Sequence, residues 1–191
     1  MDPRTFLPPA AVTGAAAPPL PGAPAPPLPA PGLPDGTAGV IAFLRHAGCP
    51  FAEATLRALR DRASANGAQA AFIAVSHAPE QATARWLEAL GGPGQVTVLA
   101  DPDRAAYAAW GLGRSNLGHF AGPRSMLAVA RLARHGVRNR HPTGSRWQLA
   151  GTFAVDAEGA VCWRHQPEHA GDLPDLDAAI DAVLLPGAAA R

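Results

Sequence analysis

The stretch "VIAFLRHAGCPFAEATLRAL" (residues 40–59) joins two patterns at a single cysteine. Residues 39–44, "GVIAFL", form a short continuous apolar run with β-branched members, which predicts a strand buried on both faces. After Pro50, residues Phe51, Leu56 and Leu59 and the intervening alanines recur at three- and four-residue spacings, which predicts a helix closed by Gly67. Cys49 therefore falls where the strand hands over to the helix. Unpaired N–H groups and the helix dipole favour negative charge there, so the position suits a thiolate nucleophile. Pro50 fits the first helical turn, where its missing donor is not needed. Ala52 stands where a second thiol would complete a local redox pair, so Cys49 does not cycle through a disulfide within that turn.

Further along the chain the texture repeats. Residues 70–76 and 95–101 read as further strands, and 79–92, 102–112 and 123–136 as helices. Residues 148–156 and 160–165 form a hairpin about the turn "AEG", and 174–185 a last helix. This order predicts an α/β fold of the thioredoxin-like type, a central mixed β-sheet flanked by helices. Residues 1–36 hold 12 of the 21 prolines and favour extended polyproline II, so they read as a disordered Pro/Ala-rich tail outside the core. A spacer explains it; the sharper alternative is a ligand for an SH3-like or WW-like groove. The folded domain is expected over 37–186, with a flexible C-terminus at 187–191.

Composition bounds the function. The net charge of +1 supplies no overall field toward nucleic acid or an anionic membrane, and neither partner is expected. Two cysteines do not make a disulfide framework. Prolines interrupt the apolar residues of the N-terminus, so no signal-peptide core forms, and no stretch is long enough for a membrane helix. A cytoplasmic location is expected. All 16 basic side chains other than histidine are arginine, a bias that gives no single arginine special weight.

A lone activated cysteine suits peroxide reduction, in which the thiolate attacks the O–O bond and the resulting sulfenic acid is reduced by an external thiol. That chemistry needs donors near the sulfur. Arg45 and His46 precede Cys49, and His77 ends the second strand at the same sheet edge. His46, Cys49 and His77 also admit a metal reading, but no paired ligand spacing supports it, so no metal or other cofactor is expected. Cys162 reads as a sheet-face residue, placed by alternation opposite Val161 and Trp163. The basic segment from Arg131 to Arg146, with Arg134, Arg138, Arg140, His135 and His141, reads as a solvated loop or as a dock for an acidic partner or an anionic thiol.

Four segments, "FLRHAGCPFAE" (43–53), "DPDRAAYAAWGLG" (101–113), "WQLAGTFAVDAEGAV" (147–161) and "HAGDLPDL" (169–176), together resemble the peroxiredoxin-like branch of the alkyl hydroperoxide reductase/thiol-specific antioxidant (AhpC/TSA) superfamily. The resemblance runs from about residue 37 to 185. It implies a thioredoxin fold and a redox role for Cys49 as the first active-site cysteine, with a peroxide substrate and a thiol reductant, either a thioredoxin-like protein or a low-molecular-weight thiol. A homodimer is compatible with it. The chain departs from the family's Pro-x-x-x-Thr-x-x-Cys pattern, carrying Ala42 and His46 at those places. It has Ala150 where an arginine commonly precedes the "TFAVD"-like strand, which leaves Arg124 or Arg146 as spatial substitutes. Two other readings stay open: a non-catalytic redox-sensing or binding protein, and a thiol–disulfide oxidoreductase.

Overall fold

The computed structural model describes residues 15–137, 140 and 142–185. Residues 1–14, the C-terminal stretch from 186, and Arg138 and His141 of the basic segment lie outside the described residues. The elements are β1 (Gly39–Phe43), α1 (Pro50–Asn66), β2 (Ala71–Ser76), α2 (Glu80–Ala89), β3 (Thr97–Ala100), α3 (Ala105–Ala109), α4 (Leu117–Ala121), α5 (Pro123–Arg134), β4 (Gly151–Val155), β5 (Val161–His165) and α6 (Leu176–Leu184). The strands form one mixed sheet in the order β3-β2-β1-β4-β5. β1 is parallel to β2 and antiparallel to β4. It is central, which is why its apolar residues run without alternation.

Each face of the sheet has its own core. Val40, Ala42 and Leu44 pack with Phe51, Leu56 and Leu59 of α1, Trp86 of α2, and Leu176, Ile180 and Val183 of α6. Ile41 and Phe43 face the other way, against Tyr107, Trp110, Leu112 and Phe153. Among the described residues, that second face has only the five-residue α3 as a helical cover, too little for a five-stranded sheet. The proline-rich segment supplies the remainder.

Here the structure differs from the sequence expectation. Residues 15–36, expected outside the core, form a strap along the second face, with Ala25, Leu28 and Leu33 packed on its core. Proline lacks a donor but keeps its carbonyl, and the strap uses these acceptors. Pro27 accepts the Trp110 indole N–H at 3.2 Å. Gly22 and Ala25 donate to the carbonyls of Val161 and Gly159, and Val161 donates back to Ala23. The strap thus binds the edge that β5 would otherwise leave open. A cavity of about 460 Å³ lies between the strap and the β4–β5 turn, lined by Leu28, Trp110 and Glu158 among others, with Cys49 not on its wall.

Two smaller departures bear on the site. α4 has no counterpart in the sequence expectation; its Asn116 cap accepts the His119 N–H at 2.9 Å. A register shift between Ala154 and Val155 pairs Ala154 with Trp163 and Val155 with Val161, leaving Cys162 between them. This bulge resets the alternation. Val161 packs in the second core, as expected of a residue opposite Cys162, but Trp163 shares the first core with Cys162.

Candidate active site

Cys49 is the N-cap of α1, in extended backbone with φ −72° and ψ 132°. Gly48, immediately before it, has φ +90°, a conformation that glycine adopts without the Cβ penalty. The resulting turn is closed by the Cys49 N–H donating to the His46 carbonyl at 3.1 Å. Pro50 occupies the first helical position, so the N–H groups of Phe51 and Ala52 are the ones left without helical acceptors beside the cap. Cys49 itself is 3% exposed.

A loop from the far side of the chain clamps this turn. Arg140 and Thr143 donate their backbone N–H groups to the carbonyls of Gly48 and Ala47, at 3.0 and 2.9 Å. Glu53, buried in the first turns of α1, accepts from Arg57 at 2.6 Å and from Arg140 at 3.3 Å. One carboxylate therefore ties the helix start to the loop that carries Arg146. Sequence reasoning missed Glu53; its signal is an i,i+4 pair with Arg57 on the helix's inner side.

Arg45 is buried, and its Nη2 donates to the Arg146 carbonyl at 2.8 Å. Its guanidinium carbon lies 5.9 Å from the centre of the Phe120 ring, and its Nε is buried without a partner. Among the described residues, no carboxylate forms an ion pair with Arg45. Burial lowers the Arg146 pKa, while attraction between Arg146 and Cys49 opposes that shift. Arg146 thus brings positive charge to the surroundings of the thiol, and Arg45 lies next to Arg146.

The histidines around them are neutral. Burial, reinforced by Arg45, lowers His46 to about 3. Its Nδ1 donates to the Ala47 carbonyl at 3.2 Å, which leaves Nε2 as an acceptor. The sequence offers His46 as a group that helps hold a thiolate, yet at neutral pH it brings no positive charge. Burial, then Arg104, lowers His77 to about 4. Its Nε2 accepts the Ser145 N–H at 3.2 Å, while its Nδ1–H, turned toward the Leu44 carbonyl, closes no well-formed hydrogen bond. Gly144 allows that approach, because a Cβ there would come within 2.8 Å of the His77 Nε2. His119, missed in the sequence because it lies on α4, is also lowered by burial and Arg45.

The scaffold beneath is held by Asp101 and Tyr107. The Asp101 carboxylate accepts the N–H groups of Ala105 and Tyr107, both at 3.1 Å. This sets the start of α3 and aims the Tyr107 hydroxyl at the carbonyls of Leu44 and Val75, at 2.6 and 2.8 Å. Those two carbonyls end β1 and β2, so the residues that follow them, Arg45 and the Ser76–His77 corner, are fixed together.

Of the expected residues, Cys49, Arg45, His46, His77 and Arg146 gather at one sheet edge. Arg124 does not join them: it is 76% exposed and meets the equally exposed Glu168 at 3.7 Å. Cys162 lies on β5, its thiol pKa raised by burial and then by Asp156. Ala52 borders a separate cavity of about 20 Å³ that is also lined by Arg45, Thr152 and Asp172, room for about one water. Among the described residues, no group of three or more His, Cys, Asp or Glu is placed to hold a metal. No helix among them is long and apolar enough to cross a membrane.

Solved structures share this architecture. A peroxiredoxin-like protein from Aquifex aeolicus is similar at 18% identity and a TM-score of 0.55, over 79% of this chain and 72% of that one. The thiol peroxidase from Chromobacterium violaceum is similar at 16% identity and 0.52, over 77% and 70%. A mutant of the peroxiredoxin 6 of Arenicola marina is similar at 12% and 0.52, over 75% of this chain and 58% of its own. These likenesses show the fold, which is thioredoxin-like. No curated protein matches the sequence. The family model for AhpC/TSA antioxidant enzymes matches residues 55–169, a span that starts within α1, beyond Cys49. With more than half of its length matched by that model, the chain belongs to the AhpC/TSA antioxidant enzyme family.

Proposed function

We propose that the protein is a one-cysteine thiol peroxidase, with Cys49 as the residue that attacks the peroxide. The observation that carries this reading is the placing of the α1 N-cap thiol beside Arg146, which the buried Arg45 holds by its carbonyl; among the described residues no carboxylate forms an ion pair with Arg45. The Cys49 thiolate attacks one peroxide oxygen, an S–O bond forms as the O–O bond breaks, and the departing oxygen takes a proton to leave as alcohol or water. Arg45, through its unpartnered Nε, holds the peroxide and offsets charge on the departing oxygen. The neutral His46, through its Nε2, accepts a hydrogen bond from the peroxide without taking its proton.

Cys49 is left as a sulfenic acid. An external thiolate attacks its sulfur and water leaves; a second thiol then releases the disulfide and restores Cys49. At 3% exposure Cys49 suits a small peroxide and a low-molecular-weight thiol better than direct exchange with a protein disulfide.

The test is the reaction of the purified chain with hydrogen peroxide, followed by intact mass and a sulfenic-acid probe, beside Cys49→Ser, Cys162→Ser and Arg45→Met. Gain of one oxygen at Cys49, far faster than at a free thiol, is expected, with Arg45→Met slower by about 10²-fold and Cys162→Ser unchanged. Cys49 reacting no faster than a free thiol refutes the peroxidase reading and favours a non-catalytic redox-sensing or binding role.

A further inference from the structure

The near-neutral total charge conceals a strong segregation. Between Asp103 and Asp156 the chain has eight arginines and no aspartate or glutamate, so every acidic side chain lies elsewhere. α5 is the exposed centre of that segment. Its inner side, Ser125, Ala128, Val129 and Leu132, is buried or packed against the core. Two outward stripes remain, by the three- and four-residue spacing of a helix. One is Met126, Ala130 and Ala133; the other is Arg124, Leu127, Arg131 and Arg134. Met126 and Leu127 are 56% and 55% exposed, and Leu117 on the adjoining α4 is 61% exposed. Among the described residues, neither Arg131 nor Arg134 has an ion-pair partner, and Arg124 has only the exposed Glu168.

We propose that the outward face of α5, with Leu117 of α4, is a docking surface for the anionic headgroup plane of a lipid bilayer. Three features favour lipid over an acidic protein. The apolar side chains protrude from helices rather than line a groove, which suits a fluid surface that moulds itself around them. Arginine stems lie along apolar surface while their forked heads pair with phosphate oxygens. An apolar stripe beside a cationic one is also the arrangement of helices that lie in the membrane interface. The inference does not depend on the chemistry at Cys49.

The test is cosedimentation of the full chain with vesicles of equal parts phosphatidylserine and phosphatidylcholine, against phosphatidylcholine alone, at low and high salt. Binding to the anionic vesicles alone is expected, and it weakens with salt. Arg131→Gln with Arg134→Gln weakens it roughly 30-fold, about a factor of five per charge, and Met126→Ser with Leu127→Ser also weakens it. Arg85→Gln, exposed on α2, leaves it unchanged. Thermal melts of all variants match the parent, since every substituted residue is exposed. Absence of binding to the anionic vesicles overturns the proposal, as does an equal loss with Arg85→Gln. Retention on a polyglutamate resin through the same arginines, with vesicles unbound, assigns the face to a protein and likewise overturns it.

Discussion

Acidification from pH 7 to pH 5 destabilises the fold through His46 and His77. Both imidazoles are buried and neutral, His46 lowered to about 3 and His77 to about 4, against an unfolded value of about 6.5. Their folded values are depressed, so the unfolded chain binds protons first as the pH falls. Stability is therefore complete above about pH 6.5 and is lost as the pH drops toward the folded values. Between pH 6 and 4.5 each histidine contributes a slope of about 1.4 kcal/mol per pH unit, or about 2 kcal/mol each between pH 7 and 5. Urea unfolding, read from the buried Trp110 and Trp86, measures the effect; with a slope of about 2 kcal/mol/M, a combined loss of about 4 kcal/mol moves the midpoint by about 2 M. His46→Asn keeps a donor near the Nδ1 position, and His77→Gln keeps an acceptor for the Ser145 N–H. The double variant should lose most of the pH dependence, with His119 responsible for part of the remainder. A parent that loses less than about 1 kcal/mol over this range, or a double variant with the parent's slope, refutes the assignment of both imidazoles as neutral.

Two further substitutions probe the ground around Cys49. Glu53→Gln leaves Arg57 and Arg140 without their shared carboxylate; because both arginines are partly exposed, at 43% and 37%, the cost is about 2 kcal/mol rather than the full value of a buried pair, and thermal unfolding checks it together with faster proteolysis at the 142–147 segment. Ala52→Cys places a sulfur beside the cavity of about 20 Å³, so the fold tolerates it within about 1 kcal/mol; peroxide should then give a disulfide between Cys49 and the introduced thiol in place of the sulfenic acid, read as loss of probe labelling and of two hydrogens by mass.

The strand–cysteine–helix junction is legible in the sequence because its signals are local. An unbroken apolar run marks a central strand, and Gly48 and Pro50 punctuate the turn that holds Cys49. What the sequence hides is non-local. Proline density in residues 15–36 speaks of backbone conformation, but whether such a segment docks depends on an uncovered sheet face elsewhere, here the one that α3 is too short to cover. The charge state of His46 is equally hidden: its place beside Cys49 is readable, but its neutrality follows from burial next to Arg45. Simple alternation misplaces Trp163 because a bulge, set by pairing with β4, changes the parity of β5 without a mark in β5's own sequence. Sequence offers Arg146 only as a spatial substitute; its approach to Cys49 depends on the backbone bonds from Arg140 and Thr143 to the cysteine turn.

The electrostatic design of the site follows from these placements. A cation buried as deeply as Arg45 costs free energy unless something opposes its charge, and among the described residues no carboxylate comes within ion-pair distance of it. If the neighbouring imidazoles were charged they would add to the repulsion, and their depressed values keep them neutral down to about pH 4. On the proposed peroxidase reading, the negative charge that Arg45 meets during the reaction is that of a bound peroxide or of the oxygen released when the O–O bond breaks. Replacing Arg45 with methionine removes this cation while filling similar space. That is why slower oxidation of Cys49 with the fold retained distinguishes an arginine serving the reaction from one that merely packs against Phe120.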